Sequence, residues 1–434
     1  LFAALPLAEL LASAASIVEY PSRSVHQSGL SFADMPLPTI VHLDADAFFV
    51  SVEQARDPSL RGKKCAVGGQ QRGIIASASY EARRAGVYTP MPTVQALKIC
   101  PDLILISHSG ANYGQVSRQM FELCETVTPL VQRNSVDEGY LDVSPCPLHS
   151  VEEIERAMRD LQARIWKELQ IPVSIGIATN KLVAQIASKL RKPRGFVVVP
   201  PGEEASFLAP LPVGKLPGVG VKTEAAIARQ GIKTVSDILA RSGDELEAIF
   251  GNGWREMLAS AQGIDDRPVE TEEEEAKSYS QQETFAKDVS DYVTIERVAK
   301  GMLDELMAKV RKDGKRAKTL TVKVRYPDFS QESKGRSIVE ASDVELPFYP
   351  VLTECLKSAW SRRRPLRLVS VKLSGIEEPA AQLEMFSEGD EKRRRLAAAV
   401  DQLNQWGKLS VVRHGHQLVP KPGAGDPRQG TPLR

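Results

Sequence analysis

A chain of 434 residues is too long for one ordinary hydrophobic core, and three or four domains are expected. With 42% hydrophobic and 26% charged residues, the composition fits a soluble globular protein. A formal net charge of +1 excludes a general polycation. The charge is nevertheless uneven: acidic residues gather from Glu270 to Glu275, and basic ones from Arg311 to Arg325 and from Arg362 to Arg367. Such patches suit nucleic-acid contact and, equally, solvated helix faces and strand edges. The five cysteines are odd in number and form no C-x-x-C, which argues against a disulfide framework or zinc site and for a reducing cytosol.

The apolar opening, LFAALPLAELLASAASIV, lacks a basic n-region and is too short and interrupted to span a membrane. Residues 1–37 are set apart as an extension, disordered or non-native, with Met35 as a plausible natural start. Ile40 to Leu43 forms a β-rich run that delivers Asp44. SVEQARD then reads as helical, Lys64 to Val67 as a strand, GIIASASYEARRAGV as a strand-to-helix passage and VQALKIC as a helix. Apolar residues recur at helical spacing from Asn112 to Val127. SVDEGYLDV precedes a helix from about Val151 to Leu169, the strand PVSIGIA and the helix NKLVAQIASKL. The first 200 residues therefore read as mixed α and β, with three sheet strands and helices on one side. Short helices broken by turn signals fill residues 200–265, and DDRPVETEEEEA, residues 266–277, reads as an exposed acidic linker. From Lys277 to Glu377 the order β-α-β-β-α-β is preferred, followed by a charged helix and a Pro/Gly tail.

Two acidic clusters sit in or beside these apolar runs: Asp44 and Asp46 in HLDADAFF, and Asp137-Glu138 in NSVDEGYLDVS. Carboxylates are rarely buried unless paired or metal-bound. Neighbours on a regular strand point to opposite faces, so Asp137 and Glu138 are placed at a hairpin or strand entry, with Gly139 easing the geometry. Asp44 and Asp137, with a backbone carbonyl and triphosphate oxygens, would satisfy magnesium; spacing alone fits ordinary turn carboxylates as well. Tyr80 and Arg83 share a helix face and could hold phosphate, as could Lys192 in the loop opened by Pro193. Taken alone, each reads more readily as an ordinary surface or half-buried residue. LPGVG places Pro217, Gly218, Val219 and Gly220 in a turn between helices, where backbone N–H groups suit DNA phosphate or merely close the turn. QLEMF, from Gln382 through Leu383, Glu384 and Met385 to Phe386, is by itself a weak signal.

Taken together, HLDADAFFVSVE, ASASYEARRAGVYTPMPTVQALKICPDL, SVDEGYLDVS, GIATNKLVAQIASKLRKPRG, LPGVG, GIDDRPV and KSYSQQETF resemble the Y-family of DNA polymerases, most closely its bacterial polymerase IV type, over about residues 38 to 410. The resemblance implies an α+β multidomain right hand: an α+β palm (38–47 and 108–198), small fingers (48–107), an all-helical helix-hairpin-helix thumb (199–265), the linker, a β-α-β-β-α-β little finger (278–378) and a C-terminal tail (379–434). It implies Asp44, Asp137 and Glu138 as ligands of two Mg²⁺ ions, joined by the Ala45 carbonyl, with Glu138 as catalytic acid. It implies Phe49 as a steric gate against the 2′-OH, and Phe48, Ser77, Tyr80, Arg83 and Lys192 as the nucleotide pocket. QLEMF resembles the peptide that binds the sliding clamp.

Gly139 stands where the family usually has Ala, Ala45 replaces a larger apolar residue, and the role of Asp46 is open. The implied activity is low-fidelity, translesion, template-directed synthesis from dNTPs on primer-template DNA, without a proofreading exonuclease, by a cytoplasmic monomer with no membrane contact. The rivals are a non-catalytic clamp-binding adaptor on the same fold, which could have lost carboxylates that this chain keeps, and a DNA-binding helix-hairpin-helix scaffold.

Overall fold

The computed structural model describes residues 37–70, 72–107, 112–272, 275–378 and 388–406, together with 412 and 415. The extension up to residue 36 and the QLEMF segment lie outside the described residues. The chain divides into two units, one comprising residues up to Asp44 with 121–167 and 172–269, the other 45–120, 168–171 and 270 onward.

The first unit is organised by a five-stranded sheet in the order β6-β7-β1-β8-β9: Val131–Arg133, Glu138–Asp142, Ile40–Ala45, Val173–Ala178 and Phe196–Val198. Three strands were expected over the first 200 residues. Five occur in this sheet and four more in a separate one, because three-residue strands such as β6 and β9 are too short to show alternation. The central strands β1 and β8 are almost wholly buried, which explains their near-continuous apolar sequences. Helix α5, Val151–Leu169, buries Ile154, Met158, Leu161 and Ile165, a stripe at helical spacing.

Helix α6, Lys181–Leu190, begins at Asn180, whose side chain accepts the Val183 N–H at 3.0 Å. It lies so close to β8 that a Cβ on Gly176 would stand 2.1 Å from the Ala184 carbonyl oxygen and 2.5 Å from the Ser188 nitrogen. No other residue fits there without moving the helix. Leu182, Val183 and Ala187 of α6 share one core with Leu208, Val213, Val219, Ile227, Ile238 and Leu246 from the short helices of residues 204–261. Capping boxes at Thr234/Asp237 and Ser242/Glu245 start two of those helices.

The linker expected from residue 266 does not run free from its start. Asp265 accepts the Leu182 N–H at 2.9 Å and is gripped by Arg267 at 2.7 and 2.9 Å. Lys181 donates to the Pro268 carbonyl at 2.9 Å and to Gln132 at 2.7 Å, and Asn180 donates to the Gly263 carbonyl at 2.7 Å. A cation in the first turn of a helix opposes the macrodipole; here it is held by these acceptors and lies 5.0 Å from the Tyr140 ring centre.

The second unit holds two sheets. One has the order β4-β3-β2-β5: Met91–Pro92, Ile74–Ala78, Cys65–Gly68 and Ile104–Ile106. With it belong helices α1 (Phe48–Arg56), α2 (Tyr80–Arg84), α3 (Thr93–Ile99) and α4 (Tyr113–Glu125), the last straddling the boundary between the units. The other sheet has the order β10-β13-β11-β12: Ser278–Val289, Leu366–Glu377, Arg316–Arg325 and Gln331–Ser342. With helices α12 (Tyr292–Lys312) and α13 (Phe348–Ala359) it realises the β-α-β-β-α-β order. Leu320, Val322 and Val324 of β11 and Val369, Val371 and Leu373 of β13 face Ile295, Leu303, Leu306, Leu352 and Leu356 in one buried cluster. Among the described residues, no helix is long and apolar enough to cross a membrane.

Candidate active site

Strands β1 and β7 run antiparallel, with Asp44 directly opposite Glu138. This register carries the site, because cross-strand partners place their Cβ atoms about 5 Å apart on one face. Asp137 occupies the β6–β7 turn. Ser135 donates its hydroxyl to the Asp137 carboxylate and accepts the N–H groups of Asp137 and Glu138, each at 3.2 Å. Glu138 opens the strand, as the hairpin placement required. Gly139 is closely packed: a Cβ there would sit 2.6 Å from the Gln132 carbonyl oxygen and 2.7 Å from the Phe121 ring. The glycine admits that ring against the hairpin.

Each of the paired carboxylates meets an ammonium. Lys192 donates to Asp44, and Lys189, one turn earlier at the end of α6, lies 2.9 Å from Glu138. Burial pushes the Asp44 carboxyl up to about 6, against the pull of Lys192. Burial also opposes the charge on Glu138, but the hydrogen bond and charge of Lys189 outweigh it and hold this carboxyl below its usual range. Beneath the pair, fully buried His42 bonds Ser188 Oγ through Nδ1 at 2.8 Å, with Nε2 3.8 Å from Glu138. Burial drives its pKa down to about 3, so the imidazole is neutral.

Among the described residues, no three His, Cys, Asp or Glu side chains stand gathered as a closed metal cage. The donor set nevertheless fits magnesium: hard carboxylate oxygens from two neighbouring strands, in a place whose negative charge already draws two ammonium groups. Lys189 and His42 went unnoticed in the sequence. The only signal for Lys189 was its position one helical turn before Lys192.

In the second unit, Ala45 ends β1 and is buried, and Ala47 turns the chain through left-handed φ 48° into α1. Phe48 is buried. Phe49 is half-buried, its ring 4.8 Å from Tyr113 edge to face. Tyr113 donates to Glu53 at 2.6 Å. Ser77 is buried beneath α1, its hydroxyl 3.5 Å from the Val50 nitrogen. Tyr80 and Arg83 do share a face: the guanidinium lies 4.9 Å from the tyrosine ring centre and donates to the Ala78 carbonyl at 3.0 Å.

Residues 43–189 match the impB/mucB/samB family, residues 201–232 the helix-hairpin-helix motif of that family and residues 276–385 its C-terminal domain. A curated DNA polymerase IV from Opitutus terrae is 67% identical over 389 residues, covering 89% of this chain and 99% of that protein. The chain belongs to the Y-family of DNA polymerases. Another curated DNA polymerase IV, from Alkalilimnicola ehrlichii, is 38% identical and covers 80% of this chain and 99% of its own. Among solved structures, a Y-family polymerase chimera of Dbh and Dpo4 aligns with TM-score 0.69 at 28% identity, covering 78% of this chain and 99% of that one. A ternary insertion complex of Dbh polymerase aligns at 0.57 with the same identity and coverage.

Two further surfaces of this Y-family polymerase, a DNA-directed DNA polymerase, suit nucleic acid. In the thumb turn, Gly218 has φ +83° and Gly220 precedes helix α8, Val221–Ala228; a Cβ at either would meet nothing within 4 Å. Val219 between them is buried in the thumb core, so its side chain packs rather than reaching outward. On the C-terminal sheet, the face away from the core pairs Thr319 with Ser337 and Ser374, Thr321 with Gly335 and Lys372, and Lys323 with Ser333 and Ser370. Hydroxyls and lysines alternate with the buried row, which the charge count along the sequence did not reveal. The basic clusters are partly neutralised by neighbouring acids. Arg311 is locked to Glu345 and Asp401, Arg362 pairs with Glu332, and Arg364 with Asp328.

Proposed function

We propose that this polymerase carries out low-fidelity translesion synthesis, adding dNTPs to a primer 3′-OH by two-metal nucleotidyl transfer without a proofreading exonuclease. The observation that carries the reading is the cross-strand pair Asp44–Glu138, with Asp137 at the adjoining turn. These three carboxylates would hold two Mg²⁺ ions with the Ala45 carbonyl. The chemistry supplied by two such ions is polarisation of the attacking and leaving oxygens and neutralisation of pyrophosphate. The bond from the primer 3′-oxygen to the α-phosphorus forms as the bond to pyrophosphate breaks, and one proton leaves the 3′-OH.

The residues of the chain have separate tasks. Lys192 neutralises Asp44 in the free protein and takes triphosphate charge in the loaded one. Tyr80 and Arg83, in contact with each other, hold the triphosphate, and Phe48 and Ser77 complete the nucleotide pocket. Phe49 stands under the sugar and excludes a 2′-OH. The thumb turn Pro217–Gly220 and the polar face of the C-terminal sheet grip phosphates without reading sequence. Gln382 to Phe386 bind the sliding clamp, and the enzyme works as a cytoplasmic monomer.

The test is primer extension with Mg²⁺ and dNTPs on intact and abasic templates. Extension past the lesion is expected. A variant with Asp137→Ala and Glu138→Ala should retain DNA binding and lose extension; extension at the wild-type rate would refute the metal assignment.

A further inference from the structure

Asp46 is the acid left over from the D-x-D pair. It is fully buried, in the turn between β1 and α1. A buried carboxylate is costly unless something holds it. Its backbone carbonyl accepts the Ser51 hydroxyl at 2.6 Å, which ties the turn to the first turn of α1. Its Oδ1 accepts the hydroxyl of Tyr80 at 3.3 Å, across 34 residues of sequence.

Tyr80 is fixed from its other sides as well. Ser79, the N-cap of α2, accepts the Ala82 N–H at 3.2 Å and the Cys65 N–H at 3.1 Å, and donates to the Lys63 carbonyl at 3.0 Å. That pins the backbone from which Tyr80 projects. The Arg83 guanidinium lies 4.9 Å from the ring centre, and its Nε is itself anchored to the Ala78 carbonyl. Backbone, ring and hydroxyl are thus each held by a separate contact, and Asp46 holds the hydroxyl.

We propose that Asp46 is a positioning residue for Tyr80: it keeps the phenol oriented in the free enzyme, so that an arriving dNTP finds a triphosphate donor already in place. The phenol has one O–H. It donates to Asp46 before binding and transfers that hydrogen bond to a phosphate oxygen on binding, with no covalent change. Ordering a side chain at the moment of binding weakens affinity; ordering it beforehand removes that penalty. This inference rests on the reading of Tyr80 as a triphosphate ligand.

The experiment is a double-mutant cycle on the full chain with primer-template DNA, measuring the KM for dNTP and kcat separately. Asp46→Val, similar in size but without an acceptor, should raise KM about three- to tenfold and change kcat less. Asp46→Asn, which keeps the Oδ1 acceptor, should restore most of the KM. In a Tyr80→Phe background, Asp46→Val should add nothing further.

If Tyr80→Phe alone leaves KM unchanged, the triphosphate reading of Tyr80 fails. If Tyr80→Phe raises KM and Asp46→Val raises it additively, that reading stands and the Asp46 inference is overturned. Should Asp46→Val not fold, 3-fluorotyrosine at position 80 of the otherwise unaltered chain gives a second readout. A ¹⁹F resonance displaced from that of the free amino acid, and moving on dNTP addition, is expected; a resonance at the free position overturns the proposal.

Discussion

The sheet that carries Asp44 and the C-terminal sheet use charge in opposite ways. In the first, the strand-end acids lie partly or wholly out of water, each against an ammonium, with a neutral histidine beneath them. In the second, Lys323, Lys372 and several hydroxyls stand on the face away from a large apolar cluster. Buried compensated charge is rigid and sensitive to geometry, whereas exposed charge is adjustable and screened by salt. Bond-making needs the former, and holding any duplex whatever its sequence needs the latter.

Separating the two regions experimentally starts with the largest effect. Glu138→Gln should lower the rate of extension by about three orders of magnitude or more, a charge-stabilisation loss of the kind seen when a principal catalytic group is removed. Affinity for primer-template should stay within about twofold. A parallel fall in DNA affinity, measured by fluorescence anisotropy, would erase the contrast.

Gly139→Ala probes the rigidity of the first region. The new Cβ must displace the Phe121 ring or the hairpin, at a cost of about 1–3 kcal/mol in urea unfolding. Extension should fall with it, because Glu138 is the next residue. Lys323→Ala and Lys372→Ala probe the second region. Each should lower DNA affinity modestly on every sequence and reduce the slope of log K against log salt by about one, with the extension rate at saturating DNA unchanged.

The smallest effect expected is in acid stability, without divalent metal. His42 is held neutral down to about pH 3, whereas the unfolded chain takes up that proton near 6.5, so this group's contribution is lost as pH falls through that window. Asp44 acts the other way: its folded value of about 6 lies above the unfolded 3.8, so its contribution is lost as pH rises through that window. His42→Gln should move the acid-unfolding midpoint to lower pH, whereas Asp44→Asn, which mimics the protonated carboxyl, should raise stability above pH 6 and leave it unchanged in acid, as followed by circular dichroism.

Much of the fold was legible because long elements repeat their pattern. The stripe in α5 and the alternation in β11 and β13 needed no tertiary information. Strands β2 and β3 were legible in Lys64 to Val67 and in GIIASAS, but β4, β5, β6 and β9 were not, since elements of two or three residues carry no period. Within the site, Asp44 and Glu138 could be read as metal-type acids, but their pairing depends on the β1–β7 register, which no local pattern encodes. The Lys189–Glu138 contact and the Asp46–Tyr80 bond join residues 51 and 34 apart and were invisible for the same reason. Arg311 shows the converse error: a residue counted toward a basic patch spends its charge on Glu345 and Asp401.

The contact at Gly176 has a consequence for building hybrid enzymes. Strand β8 and helix α6 touch backbone to backbone there, and the helix ends one residue short of the loop that presents Lys192. Residues 173–192, from the strand through Lys192, should therefore be moved as one unit. A chimaera that takes the strand from one parent and the helix from another would mis-seat the lysines, whereas one that moves both together would carry their placement intact.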